Sequence, residues 1–248
     1  MKILNKTLSD NYSEWIEAVI EEGAAALVDK ELDWTSFDVV AKLRRQVRVK
    51  KVGHAGTLDP LATGLLILCF GKATKKINEF QGMKKVYSAE IKLGAVTKSD
   101  DSEFDEENIK PTDHITKEMI VEASKDFIGE ISQIPPIFSA KKVKGKRLYK
   151  YARKDEEVEI KPSIVQIDDF RLIEYIAPVA KFEVECSKGT YIRALARDLG
   201  AKLECGGYLK SLRRTAIGEY LADDALTVNE IVDIVAVYNK NREEAPED

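Results

Sequence analysis

The chain has 248 residues, of which 44% are hydrophobic and 33% are charged, and its formal net charge is -4. This length is sufficient for one large domain or two small ones, each with a buried core. No apolar run approaches the roughly 18 residues of a membrane span, and the N-terminus lacks the apolar segment of a signal peptide. We therefore expect a cytoplasmic protein, in which the three widely spaced cysteines are reduced thiols.

The spacing of apolar residues and turn residues predicts alternating helices and strands. In chain order they are a helix over 9–22, a buried strand over 24–29, a helix starting at Thr35 or Ser36, an apolar segment over 65–70, strands over 86–93 and 181–187, and helices over 192–203 and 228–238. The second helix is expected to bury Phe37, Val40, Leu43 and Val47. Periodicity does not decide whether 65–70 is a helix or a strand. The irregular alternation favours an α+β fold with a mixed or antiparallel sheet over a doubly wound parallel sheet.

The charged residues are separated by sign along the chain. Residues 42–51 (KLRRQVRVKK) and 141–154 (KKVKGKRLYKYARK) are strongly basic, whereas 99–108 is acidic and is predicted to be a mobile loop. Either basic segment alone fits an ordinary solvated surface. Two such segments, the second containing Tyr149 and Tyr151, together favour RNA binding.

Asp59 lies in the segment GHAGTLDPLATGLL (53–66) and is the only carboxylate between Asp38 and Glu79. An aspartate before a proline commonly caps a turn, which is the simplest interpretation. A metal site is disfavoured because the chain has only two histidines and no cysteine cluster. A serine hydrolase is disfavoured because the chain has no GxSxG nucleophile elbow. A phosphate-binding loop is disfavoured because the segment lacks the Walker lysine. A lone carboxylate acting on a sugar carbon remains open, although a retaining glycosidase would pair it with a second acid.

The segment GHAGTLDPLATGLLILCFGKATK (53–75) resembles the signature of the TruB family, the tRNA pseudouridine-55 synthases. Further ordered motifs that resemble this family are VDK with WTS (28–30, 34–36), KVYSA with LG (85–89, 93–94), PPIFSAKK with GKRLY and YAR (135–142, 145–149, 151–153), CSKGTYIR (186–193) and LRRT with a glycine (212–215, 218). The resemblance implies the pseudouridine synthase catalytic fold, with flanking helices and a central RNA-binding cleft. It implies one catalytic domain over 1–248, composed of an N-terminal helical extension (1–23), a core (24–218) and a C-terminal helix with an acidic tail (219–248).

The resemblance also implies a reaction and the residues that perform it. Uridine 55 in the T loop of tRNA would be flipped out and isomerised to pseudouridine, without a metal or another cofactor. Asp59 matches the family's catalytic aspartate, which acts on the ribose as nucleophile or base, and Arg193 matches the arginine that pairs with it. Tyr87 matches a tyrosine that stacks on the uracil and helps to move protons. His54 matches the residue that fills the space left by the flipped base.

The remaining implied contacts concern the uracil and the RNA backbone. Tyr191 and Leu212 match residues that line the uracil pocket, and Lys142 and Arg147 belong to a block expected on the phosphates. Only 30 residues follow Gly218, too few for the family's C-terminal PUA domain, so we expect contacts confined to the T stem-loop. The resemblance predicts a monomer that acts on tRNA without a guide RNA and without a membrane.

Two alternatives differ from this prediction. The guide-RNA-dependent eukaryotic and archaeal relatives share GHxGTLDP, but the continuation LATGLLILCFGKATK argues against them. An RNA chaperone would bind and fold tRNA without catalysis. One departure from the family pattern is Glu31, which stands where a proline usually follows Asp-Lys.

Overall fold

The computed structural model describes residues 1–244, with no side chains described at 9–11 and 242–244. The end of the predicted acidic tail, 245–248, lies outside the described residues. The chain divides into two compact units, one formed by 1–83 together with the chain from 213 onward and the other by 84–212. The single domain expected from the sequence stays a prediction.

The strands of the first unit are β1 (Ile3–Leu4), β2 (Ala25–Lys30), β3 (Val52–His54), β4 (Ala62–Phe70), β12 (Tyr220–Leu221) and β13 (Leu226–Thr227). They include a mixed sheet in the order β1-β2-β4, in which β4 is antiparallel to β2 and β1 is parallel to β2. The helices of this unit are α1 (Tyr12–Glu21), α2 (Ser36–Val47), α3 (Ile77–Gly82) and α7 (Val228–Glu244). The strand β3 pairs with β4, and β13 pairs with β2 in parallel. The predicted strand over 24–29 and the predicted helix over 228–238 are confirmed. The helix predicted over 9–22 is found as α1 from Tyr12 onward, preceded by a 3-10 helix over Lys6–Asn11.

The apolar segment 65–70 is part of the strand β4, and both faces of this strand are buried. Leu66, Leu68 and Phe70 pack with residues of α1, α2 and α7, whereas Leu65 and Ile67 pack in a second cluster on the other face. A strand covered on both sides has a continuous apolar sequence rather than an alternating one. Periodicity therefore could not distinguish this strand from a buried helix.

The helix α2 begins where the sequence predicts, but its buried face differs from the expected one. Thr35 is the N-cap and forms a capping box with Asp38, in which each side chain accepts from the other residue's backbone N–H. Val40, Leu43 and Val47 are buried as expected. The prediction for Phe37 is wrong, because its side chain is 70% exposed. Ser36 occupies the buried position of the first turn instead.

The strands of the second unit are β5 (Lys85–Leu93), β6 (Gly129–Gln133), β7 (Lys142–Val143), β8 (Lys146–Arg147), β9 (Ser163–Ile176) and β10 (Val179–Cys186), and its helices are α4 (Lys117–Lys125), α5 (Leu148–Ala152) and α6 (Ile192–Lys202). Four of these strands form an antiparallel sheet in the order β5-β10-β9-β6. The strand β11 (Gly207–Ile217) begins in this unit and continues into the first. The predicted strands over 86–93 and 181–187 and the helix over 192–203 are confirmed, and the fold is α+β with mixed and antiparallel sheets as expected.

The acidic segment 99–108, expected to be a mobile loop, is anchored within the second unit. Glu107, near the end of the segment, forms an antiparallel bridge with Val96, which precedes it, and Asp101 bridges to Leu209 in β11. Ser99 and Asp101 are both buried. The segment is therefore a fixed part of the unit.

Candidate active site

Asp59 lies in the connection between β3 and β4, in the first unit. These two strands are antiparallel, with His54 opposite Leu68, and the connection closes with a backbone hydrogen bond of 3.0 Å from Ala62 N to the Asp59 carbonyl. Asp59 is half-buried, and its neighbour Leu58 is buried. The turn that the Asp-Pro sequence predicts is therefore present, but side chains from other elements also fix the backbone around Asp59.

Ser36, the first residue of α2, fixes the backbone immediately before Asp59. Its Oγ accepts a 2.8 Å hydrogen bond from Leu58 N and donates a 3.0 Å hydrogen bond to the Leu58 carbonyl. Ser36 is itself buried. One hydroxyl thus satisfies both polar groups of a buried peptide segment, which ties the position of Asp59 to the start of α2.

Lys30, the last residue of β2, fixes the backbone immediately after Asp59. The side chain is fully buried, and its Nζ donates to the carbonyls of Glu31, Trp34 and Pro60 at 2.8, 2.6 and 3.3 Å. An ammonium has three protons, so three carbonyls satisfy it. The Pro60 carbonyl also accepts from Asp33 N at 3.0 Å.

Arg214, in β11, holds the glycine turn from the other side. It is 1% exposed, its Nε donates to the Leu65 carbonyl at 2.7 Å, and its Nη2 donates to the Gly56 carbonyl at 3.2 Å. Gly64 allows the backbones of β4 and β11 to lie close together at Arg214. A Cβ at Gly64 would lie 2.3 Å from the Arg214 carbonyl oxygen, and the φ of Gly64 is +99°. Side chains from α2, β2 and β11 therefore contact the backbone at 56, 58 and 60.

The charges around Asp59 are set by buried cations of the same unit. Burial lowers the pKa of Lys30 to about 8, while the carboxylates of Asp59 and Asp33 oppose this change and Arg214 reinforces it. The Lys30 ammonium and the Asp59 carboxylate therefore attract each other in a region where the dielectric constant is low. This attraction offsets part of the cost of burying Lys30.

His54 is half-buried at the end of β3. Its Nδ1 atom is buried and has no hydrogen-bond partner among the described residues. Burial lowers the pKa of His54; the Gly56 backbone opposes this effect and the Arg214 guanidinium adds to it. Because the usual value is already near 6.5, the imidazole is neutral at pH 7. A neutral ring beside Asp59 in the sequence can stack without carrying its own charge.

In the second unit, Tyr191 and Arg193 lie at the start of α6. Tyr191 is the half-buried N-cap residue, and the amide of Gln133 holds its backbone on both sides: Tyr191 N donates to Gln133 Oε1 at 2.9 Å, and Gln133 Nε2 donates to the Tyr191 carbonyl at 3.1 Å. Gln133 is 1% exposed. A buried side-chain amide thus fixes the backbone of Tyr191, whose expected place in the uracil pocket stays a prediction.

Arg193 is buried, rather than being a surface residue at a helix start. Its Nη1 lies 3.2 Å from Asp101 Oδ2 and donates to the Ser99 carbonyl at 3.1 Å, and its Nη2 donates to the Phe138 carbonyl at 2.9 Å. Asp101 in turn accepts from Ser99 Oγ at 2.5 Å and from Glu103 N at 3.0 Å. The guanidinium is therefore aimed by a fixed set of acceptors within its own unit.

The remaining sequence-predicted residues also lie in the second unit. Tyr87 is in β5 opposite Val184 of β10 and is 9% exposed, and Leu212 is half-buried in β11. Lys142 and Arg147 are exposed and directly opposite each other in the β7–β8 hairpin. The predicted pairing of Asp59 with Arg193 joins residues of different units and stays a prediction.

The exposed hairpin carries an uncompensated pair of like charges. Neither Lys142 nor Arg147 forms an ion pair within the described part of the chain, and like charges directly opposite each other on two strands reduce stability. The hairpin turn, Lys144–Gly145, has positive φ at both residues. This geometry presents two cations side by side, which suits a polyanion.

Comparison with known proteins identifies the family to which these motifs belong. Residues 44–192 match the model of the TruB family pseudouridylate synthase N-terminal domain, and residues 193–247 match the model of the tRNA pseudouridylate synthase B C-terminal domain. The chain belongs to the TruB family. It is 52% identical over 219 residues to the tRNA pseudouridine synthase B of Parabacteroides distasonis, covering 86% of this chain and 93% of that protein. It is 47% identical over 214 residues to the synthase of the same name from Flavobacterium johnsoniae, covering 84% and 93%.

Solved structures confirm the fold of this TruB family chain. A Cbf5–Nop10–Gar1 complex matches with a TM-score of 0.70 and 26% identity, covering 92% of this chain and 58% of the matched chain. An H/ACA RNP bound to a substrate RNA containing 2'-deoxyuridine matches with a TM-score of 0.68 and 25% identity, covering 94% and 58%. The chain thus spans 58% of the length of these structural neighbours. Its fold is the pseudouridine synthase fold that the resemblance implied.

Sequence reasoning missed the residues that hold the TruB motif residues in place. Ser36, Lys30 and Arg214 stand inside quoted family motifs, yet they were not assigned roles, and Gln133 and Asp101 were overlooked. The acidic run around Asp101 concealed one buried carboxylate among half-buried and exposed ones. Among the described side chains, no three His, Cys, Asp or Glu residues lie close enough to hold a metal ion. Within residues 1–244, no helix is both long and apolar enough to cross a membrane.

Proposed function

We propose that the chain is a tRNA pseudouridine synthase that converts uridine 55 of the T loop into pseudouridine. The relatives with about half of their residues identical bear the name tRNA pseudouridine synthase B. The observation that carries the proposal is the Asp59 loop, in which Arg214, Ser36 and Lys30 fix the backbone at 56, 58 and 60. A turn that only reversed the chain would not require two buried cations and a buried hydroxyl.

The reaction breaks the bond between uracil N1 and ribose C1' and forms a bond between C5 and C1'. The C5 proton leaves and N1 gains one, so the change is an isomerisation that consumes no second substrate. Asp59 performs the step on the ribose, either by attacking C1' or by removing the C2' proton, and no cofactor is assigned. Fixing the carboxylate before the substrate arrives removes the need to order it during the reaction.

The target base reaches Asp59 by flipping out of its stack. Flipping costs a few kcal/mol, and an inserted ring recovers part of the lost stacking. We assign this insertion to His54, whose neutral imidazole lies at the end of β3. Tyr87 stacks on the flipped uracil and serves proton transfer near C5, while Tyr191 and Leu212 line the pocket. Arg193 pairs with Asp59 and aims it.

The RNA backbone is held by cations without reading of base edges. Lys142 and Arg147 on the β7–β8 hairpin bind phosphates of the T stem-loop, because their unpaired charges complement a polyanion. The protein acts as a monomer in the cytoplasm, on tRNA alone and without a guide RNA.

The test is pseudouridine formation at position 55 of a tRNA transcript, compared between wild type and Asp59→Asn. The variant preserves the size of the side chain and removes its charge, so product should disappear while tRNA binding remains. Asp113→Asn, which changes an exposed carboxylate, is the matched control and should keep full activity. Product formed by Asp59→Asn would contradict the role of Asp59. Binding without product in wild type would indicate an RNA chaperone, and product that requires an added guide RNA would indicate the guide-dependent class.

A further inference from the structure

The exposed face of α2 and the segment after it carry a concentration of positive charge that the proposed reaction does not use. Six lysine and arginine residues lie within residues 42–51, and no carboxylate occurs between Asp38 and Asp59. Within the described residues, none of these six basic side chains forms an ion pair or a side-chain hydrogen bond. Elsewhere in the first unit, cations are engaged: Lys2 pairs with Glu14, and Arg213 binds Asp29 through both of its Nη atoms.

The buried side of α2 explains its apolar residues but not this charge. Val39, Leu43 and Val47 pack in the core cluster that also contains residues of α7. Arg44, Arg45 and Arg48 are therefore turned outward, and each is exposed. Cations in the last turn do interact favourably with the helix dipole, which accounts for Arg44 and Arg45 in part. The helix dipole does not account for Lys42, which is not in the last turn. It does not account for the basic residues that follow the helix either.

Two features of α2 lower its stability, which indicates that the positive charge is kept for another reason. Arg44 and Arg48 are separated by four residues, and Lys42 and Arg45 by three, so like charges repel along the surface. Arg48 follows the helix with a φ of +57°, a position that glycine or asparagine usually occupies. An arginine there adopts a costly backbone conformation while keeping a long cationic side chain.

Basic side chains of this segment lie around an open depression in the surface, the α2 hollow. The depression has a volume of about 620 Å³ and is lined by Ala41, Lys42, Arg44, Arg45, Arg48 and Val49. Four of its six lining residues are cations and none is acidic. The hollow therefore complements an anionic chain that can lie along it.

From this geometry we propose that the α2 hollow is a second phosphate-binding surface, which holds the backbone of the T arm beside the flipped nucleotide. The six Cα–Cα steps from Arg48 to His54 span at most about 22 Å when extended, so the hollow lies within a few nucleotides of the residue assigned to base insertion. Two cation-rich surfaces, this one and the β7–β8 hairpin, then each contribute backbone contacts. The identity of the RNA rests on the proposed function, whereas the presence of a phosphate-binding surface does not.

The experiment compares the salt dependence of RNA binding between wild type and the triple variant Arg44→Gln, Arg45→Gln, Arg48→Gln. The matched control is Lys117→Gln, Lys125→Gln, Lys202→Gln, which removes the same charge from a region where Lys125 pairs with Glu122 and Lys202 pairs with Asp126. The dissociation constants are measured at 50–200 mM salt for the isolated T stem-loop and for whole tRNA. Circular dichroism confirms that both variants keep the helix content of the wild type.

We expect the α2 variant to show a shallower fall of log K with log salt on both RNAs, the magnitude of the slope being smaller by about three. The control should leave the slope unchanged. Each contact contributes about 3.5-fold to the affinity lost over a fourfold rise in salt, so three contacts account for about 40-fold. An unchanged slope in the α2 variant would overturn the proposal and assign this face to a partner other than RNA. Equal losses in both triple variants would overturn it by showing an effect of net charge. A loss confined to whole tRNA would overturn the placement beside the T loop.

The result is separable from the proposed function. Binding is measured without turnover, so a wild-type protein that binds RNA but forms no pseudouridine still tests the α2 surface. Conversely, a wild-type protein that modifies position 55 with an unchanged slope in the α2 variant retains the proposed function and loses this inference.

Discussion

Lys30→Met replaces a buried ammonium with an apolar side chain of similar length. In the wild type the Nζ of Lys30 donates to three carbonyls, among them that of Pro60 next to Asp59, and the side chain is fully buried. The substitution removes the cost of burying a charge and at the same time leaves three carbonyls without this donor. Because these two effects oppose each other, the change in stability at a single pH does not test the account, whereas its pH dependence does.

The magnitude follows from the difference between the unfolded and folded pKa of Lys30. In the unfolded chain the pKa is near 10.5, and burial lowers it to about 8 in the folded protein. Between these values the unfolded state binds the proton that the folded state releases, so the free energy of unfolding rises with pH through this window. The full difference corresponds to at most about 3 kcal/mol. Below pH 8 both states are protonated and this contribution does not vary.

The assay is chemical denaturation of wild type and Lys30→Met from pH 7 to pH 10.5. Other groups titrate in both proteins, so the quantity of interest is the free energy of unfolding of the wild type minus that of the variant. We expect this difference to increase with pH by up to about 3 kcal/mol between pH 8 and 10.5. Lys117→Met, at an exposed position of α4, should show a constant difference. A constant difference for Lys30→Met as well would refute the buried-cation description of the Asp59 loop.

Three further substitutions test other contacts. Asp101→Asn should destabilise the protein by about 1–3 kcal/mol, because it removes the Asp101 carboxylate from the buried Arg193 guanidinium, and Asp105→Asn in the same segment should not; equal melting temperatures would contradict this. Gly64→Ala should cost more than about 2 kcal/mol, because its Cβ would lie 2.3 Å from the Arg214 carbonyl oxygen, whereas Gly82→Ala has open space; a stable Gly64→Ala protein would show that the strands separate easily. Lys142→Gln should lower the salt slope of tRNA binding by about one and leave stability equal or slightly higher, since it relieves repulsion with Arg147; an unchanged slope would remove the hairpin from the interface.

Local sequence signals were sufficient for most of the secondary structure. The strand β10 could be predicted because Phe182, Val184 and Cys186 alternate with polar residues, and all three are buried. The start of α2 could be predicted because its cap is a local contact between Thr35 and Asp38. Phe37 was assigned to the wrong face because it is aromatic, although it lies about 100° around the helix from Ser36, and Leu43 and Val47 share the buried face with Ser36.

The candidate site was predictable where a motif carries the chemical group and unpredictable where contacts between distant segments hold it. Asp59 and His54 stand in one conspicuous segment. Arg214 is 158 residues from Gly56, and Gln133 is 58 residues from Tyr191, so no spacing rule connects them. Asp101 cannot be told from its acidic neighbours by sequence, and only the fold distinguishes it by burying it against Arg193.

The most direct test of the central claim is a map of pseudouridine in tRNA from cells that lack this protein. We expect position 55 to carry uridine in these cells and pseudouridine to return when the wild-type chain is supplied. Asp59→Asn, expressed to the same level, should leave uridine in place. Pseudouridine persisting at position 55 without the protein, or restored by Asp59→Asn, would contradict the account.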